Sequence, residues 1–146
     1  MGIPTMKRCA AAFAAAVALT APAALADGTV LKISPRHLGF GKQVFDTFTT
    51  ATITVMNTAS VAVVVAFEQV RVPDDFSPGQ PGSTCSLPEE TPLAPGASCT
   101  EIVAFSPIRA FAGHEQGTLT ITARDPVSGA VVDTQTIKIS GRGVEP

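Results

Sequence analysis

The sequence predicts an all-β fold: an antiparallel β-sandwich of about seven short strands, held by one disulfide. Three observations predict it. Thr50–Val55 and Gly117–Ala123 alternate apolar residues with threonine, and a period of two belongs to a strand with one face in a core. Turn residues (Pro, Gly, Asn, Asp) recur between the β-branched runs. Beyond residue 26 no segment spaces its apolar residues as a helix would. An immunoglobulin-like sandwich has about the size of the chain that remains.

The first 26 residues stand outside that fold. Lys7 and Arg8 precede an Ala-rich apolar stretch, Cys9 to Leu25, and Ala24-Leu25-Ala26 puts small residues before Asp27. A basic start, an apolar middle and an A-x-A end predict a secretory signal peptide over 1–26. A membrane anchor is the alternative, but the stretch is short for a span and is broken by Pro22. Cys9 follows Met6-Lys7-Arg8, where a lipid attachment site needs small apolar residues. Residues 27–146 are expected to form a single domain, periplasmic or extracellular, with no further membrane span.

Along that domain, Leu31-Lys32-Ile33 is a strand stopped by Ser34-Pro35, and Leu38-Gly39-Phe40-Gly41 sets a core aromatic between glycines. In Thr50–Val55, Ala51, Ile53 and Val55 face inward. Asn57–Ser60 is a turn. Val61–Val72 reads as one long strand bent near Glu68-Gln69. Pro73–Gly96 reads as a surface excursion, with Phe76, Leu87 and Leu93 as its anchor points. Cys99–Phe105 is a strand ended by Ser106-Pro107. Gly117–Ala123 turns Leu119, Ile121 and Ala123 inward and Thr118, Thr120 and Thr122 outward. After the turn at Asp125–Gly129, Val131–Ser140 brings Ile137 and Ile139 inward, and Gly141-Arg142-Gly143 ends the domain.

Composition narrows the chemistry. Without residues 1–26 the domain holds eight Lys and Arg against twelve Asp and Glu, no footprint for nucleic acid. Cys85 and Cys99 are an even pair in an exported chain and predict a disulfide; a metal or redox pair would need a nearby His or a C-x-x-C spacing. His37 and His114 read as exposed turn residues outside any catalytic motif, and Gly-x-Ser-x-Gly is absent, so no catalytic residue is assigned. His37, His114 and Met56 are too scattered to suggest a metal site. Asp74-Asp75 and Glu89-Glu90 read as solvated loop charges without calcium-loop spacing. The chain has no Trp or Tyr, which disfavours a glycan platform. No metal or cofactor is expected.

The domain resembles the bacterial choice-of-anchor D domains, related to the Hydin and abnormal-spindle (ASH) type within the major-sperm-protein-like immunoglobulin superfamily. The resemblance runs through Ile33-Ser34-Pro35 with Leu38-Gly39-Phe40-Gly41, Thr52–Thr58 and Asp75-Phe76-Ser77. It continues through Cys85 with Leu93-Ala94-Pro95-Gly96-Ala97-Ser98-Cys99, then Phe105-Ser106-Pro107, Gly117–Ile121 and Ile139–Gly143. It covers nearly all of residues 30–143. It implies adhesion, scaffolding or binding of other proteins, and no catalysis.

Two places depart from that pattern. Alternation with Cys99, Val103 and Phe105 puts Glu101 on the inward face, where a lone carboxylate is costly; it is expected at the strand mouth, reaching water, with a partner-binding or ion-paired Glu as the alternative. Ile108–Gly113 is more apolar than a plain turn, so Ile108 and Phe111 are candidates for an apolar tip. The outer face of Val61–Phe67, with Ala62, Val64 and Ala66, is either covered or open to another chain by strand addition. The expected partner is another envelope or extracellular protein. A chaperone-like or small-ligand- or metal-binding sandwich is the alternative.

Overall fold

The computed structural model describes residues 29–71, 75–85, 91–109 and 113–146. Residues 1–26, expected as a signal peptide, and Asp74, Leu87, Glu89, Glu90 and Phe111 lie outside them. Eight strands form: β1 (Leu31–Ser34), β2 (His37–Val44), β3 (Thr49–Asn57), β4 (Val64–Arg71), β5 (Phe76–Ser77), β6 (Ser98–Phe105), β7 (Gly113–Arg124) and β8 (Val131–Val144). They make two four-stranded sheets, ordered β1-β3-β6-β5 and β2-β8-β7-β4.

The alternating segments behave as their period dictates. Ile53 and Val55 of β3, and Leu119, Ile121 and Ala123 of β7, are buried together with Ile137 and Ile139 of β8. Phe76 and Phe105 stack with ring centroids 4.6 Å apart, and Phe40 lies 5.6 Å from both. This aromatic group joins the sheets, since Phe40 belongs to β2 and the other two to β5 and β6. Asn57, fully buried, does more than cap a turn. Its side-chain amide donates to Val61 O and Leu93 O and its Oδ1 accepts from Ala59 N, so one residue ties β3 to both segments that follow.

Several expectations change. The pairs are antiparallel except β2 with β8, which run parallel. The long strand expected from Val61 begins at Val64; Val63 instead bridges Leu93. Thr122 faces outward as expected but is nonetheless buried. Gly141-Arg142-Gly143 does not end the domain, because β8 runs on to Val144. The reason is steric. A Cβ on Gly141 would lie 2.4 Å from Phe105 Cε1, and one on Gly143 2.5 Å from Phe45 Cε1. Both glycines hold inward positions whose space two phenyl rings fill.

The segment after Pro73 is also more than a surface excursion. Asp75 and Phe76 are buried, and β5 pairs with the end of β6 through Phe76↔Phe105 and Ser77↔Ala104. Gln80 N then donates to Ile102 O, Ile102 N to Ser83 Oγ, and Thr84 N and Cys85 N to Thr100 O. The Cys85–Cys99 disulfide closes the run, with Cα atoms 4.9 Å apart. The residues from 76 to 85 thus line the outer edge of β6 from end to end.

Candidate functional site

Edges decide where a β-sandwich can meet another chain, because an edge strand has backbone donors and acceptors to spare. The edge of β6 is closed by the strap just described, and that closure explains Glu101. The alternation is as expected and Glu101 does point inward, but it is 1% exposed and does not reach water. Gly79 of the strap donates its backbone N–H to Glu101 Oε1. The carboxylate is satisfied from inside, so Glu101 offers nothing to a partner arriving from solvent.

Two more acids lie where the strap begins. Asp75 Oδ2 accepts from Ile108 N at 3.0 Å, and its carbonyl accepts from Ser106 N at 2.8 Å. Glu115, inward on β7, is buried nearby. Burial, and behind it the charge of Asp75, push its carboxyl up to about 7. Asp75 was expected as a solvated loop charge; it is 3% exposed and ties the strap to the chain leaving β6.

The edge of β4 is different. It pairs with β7 on one side, from Val64↔Arg124 to Arg71↔Thr118. Beyond the Val63–Leu93 bridge, no described backbone pairs with the other side. The outer face of this edge is small and flat. Val64, Ala66 and Glu68 face outward, opposite Arg124, Thr122 and Thr120. An Arg124–Glu68 ion pair of 3.1 Å runs diagonally over the Ala66–Thr122 rung. Thr122 is 5% exposed, and its hydroxyl has no hydrogen-bond partner among the described residues. Beside Val64 a cleft of about 380 Å³ opens between Pro92 and the β7–β8 turn. That turn is built by Asp125, whose Oδ1 accepts from Val127 N, Ser128 N and Ser128 Oγ. The Ser128 bonds, then that of Val127, hold the Asp125 carboxyl below its ordinary range. Val127 stands at the tip of the turn, 94% exposed.

At the other end of the sandwich, Ile108 is 42% exposed, and Phe111 lies outside the described residues. The sequence reading missed Phe48, which is 71% exposed and sits at this same end. Phe48 precedes Thr49, which faces Phe105, and Asp46 N donates to Pro107 O beside Ile108. Single exposed phenylalanines leave no trace in alternation, so only the pairing of β3 with β6 brings Phe48 to Ile108.

The histidines are exposed, but they stand on strands and not in turns. His37 of β2 is opposite Lys138 of β8, and His114 of β7 is opposite Arg142 of β8. Both line an open groove of about 560 Å³ on the outer face of the second sheet. His37 Nε2 and Ser140 Oγ share a hydrogen bond of 3.0 Å. Sequence distance scattered these two residues; β8, lying between β2 and β7, gathers them.

No family model matches the chain, and no curated protein does. Solved structures do. An ASH/PapD-like domain of human CEP192 aligns with a TM-score of 0.61 at 12% identity, over 98% of this chain and 99% of that one. The fold is that of the ASH and MSP domains. SSP-19, an MSP-domain protein-like family member of Caenorhabditis elegans, aligns with a TM-score of 0.53 at 12% identity, over 75% of this chain and 97% of that one. The Vibrio cholerae VesB protease aligns with a TM-score of 0.56 at 19% identity, over 77% of this chain and 32% of the protease. At these identities the likeness is one of fold. The disulfide is compatible with an exported protein, and no helix among the described residues is long and apolar enough to cross a membrane.

Proposed function

We propose that this chain is an exported, non-enzymatic protein-interaction module of the cell envelope or extracellular space, and that it receives its partner at the edge of β4. One observation carries the reading: among the described residues β4 is an eight-residue strand hydrogen-bonded on one side only with a cleft beside Val64, while the edge of β6 in the other sheet is closed along its length. An extended segment of a partner adds to such an edge through its backbone, and side chains beside the strand supply selectivity. Val64, Ala66 and the cleft beside Pro92 are the features a partner would meet. Ile108 and Phe48 form a second, smaller apolar tip. The likeness to ASH and MSP domains supports an interaction role, and the signal-like residues 1–26 support export.

The test is capture of partners from native envelope extract and culture medium by the oxidised chain, with Val64→Lys and Ile108→Asp run in parallel. A specific protein lost on Val64→Lys and kept on Ile108→Asp supports the β4 edge. The reverse pattern moves the site to the tip. No specific protein at any salt concentration rejects the interaction reading.

A further inference from the structure

The outer face of the second sheet carries, away from the Val64 end, a cluster of cations that the interaction reading does not use. Lys138 and Arg142 point outward from β8, and Lys42 from β2. All three are exposed, and none forms an ion pair with a described residue. Arg109 and Arg124 do find carboxylates, in Glu145 and Glu68. The register makes the clustering costly: Lys42 stands directly opposite Arg142, and like charges facing each other across a strand pair destabilise a sheet. This occurs in a chain whose net charge is negative.

The surface between these cations is concave. Gly39, exposed and facing outward, offers no side chain, so the His37 ring leans across it; a Cβ there would lie 3.5 Å from His37 Cε1. The ring reaches Ser140 Oγ. Ser140 and Gln116 sit abreast in the middle of the groove, between the Lys138 rung and the Arg142 rung. A hydroxyl and a primary amide therefore stand between Lys138, which lines the groove, and Arg142, which with Lys42 lines the depression that continues it past His114 and Ser140; among the described residues no acidic side chain lines either.

We infer that this groove binds a phosphate-class oxyanion, the terminal group of a phosphomonoester, held by Lys138 and Arg142 with Ser140 and Gln116 donating between them. A doubly charged tetrahedral group matches the layout. It accepts several hydrogen bonds at once, the guanidinium supplies a planar fork for two of its oxygens, and the ammonium supplies a point charge. The inference does not depend on the β4 edge.

The test uses the oxidised full chain, labelled with ¹⁵N and titrated with inorganic phosphate at constant pH and ionic strength, with chloride as the reference salt. The expected result is saturable shifts at the amides of Thr118, Gln116 and Ser140. Lys138→Gln with Arg142→Gln should weaken binding at least about tenfold, the loss of one or more charge-assisted hydrogen bonds. Both side chains are exposed, so the variant folds, and its unchanged spectrum elsewhere verifies that. Lys32→Gln, on the other sheet, should change nothing. A second arm measures sedimentation with phosphatidic acid vesicles against phosphatidylcholine vesicles. Capture that the double variant loses assigns the group to a lipid headgroup; phosphate binding without capture assigns it to a soluble phosphomonoester. Shifts that fail to saturate, that chloride reproduces, or that the double variant retains, together with no variant-sensitive capture, overturn the inference.

Discussion

The two sheets of this sandwich finish their edges in opposite ways. On the first sheet, β6 is covered by β5, by backbone bonds to Gln80, Thr84 and Cys85, by the Ser83 hydroxyl and finally by a disulfide. On the second, among the described residues, β4 is paired along one side and covered at its start by one bridge, Val63 to Leu93. A bare edge is a liability that proteins generally blunt. Here one edge is closed by several devices, while β4, an eight-residue edge strand like β2, has among the described residues no backbone partner along its other side beyond that bridge. The contrast between the described edges is why we place the interaction at β4.

The largest expected effects come from breaking the closed edge. Phe105→Ala removes the ring that stacks on Phe76 and fills the space above Gly141, and should cost about 3–5 kcal/mol, read as a lowered urea midpoint. Replacing Cys85 and Cys99 together by serine frees the strap and should cost about 3 kcal/mol; the same midpoint checks it, and reduction of the native chain should give a matching loss. Both changes should leave the groove at Lys138 and Arg142 formed if the domain is still folded.

A pH titration sharpens the same comparison. Glu115 lies beside Asp75, where the strap begins, with its carboxyl raised to about 7 from a usual 4.5. Between those values the folded chain binds more protons than the unfolded one, so stability falls as pH rises. The urea midpoint should be higher at pH 5 than at pH 8, and Glu115→Gln should flatten that slope. A slope unchanged in the Gln variant would remove Glu115 as its cause.

The smallest stability effects belong to the open edge. Val64→Lys should change stability by about 0.5 kcal/mol or less while abolishing partner capture. Arg124→Ala breaks an exposed ion pair worth at most about 1 kcal/mol, and uncovers Ala66 and Thr122. A loss of several kcal/mol from either change would mean that this surface is packed against the domain itself.

Much of the architecture was legible in residue alternation. Thr50–Val55 and Gly117–Ala123 declared their inward faces, Pro95-Gly96 its turn, and Cys85 and Cys99 their pairing, because these depend on near neighbours. What failed depends on contacts distant in sequence. Gly141 and Gly143 look like a chain end, and only Phe105 and Phe45 explain them as strand positions. Glu101 looks like a carboxylate in need of water, and Gly79, 22 residues away, meets it inside. The apolar run from Val61 marked a strand with a candidate open face, but which side of it lacks a partner is a property of sheet order. The groove was invisible for the same reason: parallel pairing of β2 with β8 joins residues about a hundred positions apart.

Residue-by-residue amide hydrogen exchange on the free, oxidised chain tests the contrast between the edges most directly. An open edge strand turns alternate N–H groups toward solvent, while a covered one protects them all. The account predicts fast exchange at alternate amides of β4 from Val64 to Glu68, with Thr100 to Phe105 of β6 protected to the limit of global unfolding. Uniform protection along β4 would contradict it, since the edge would then already be covered and no strand could be added there.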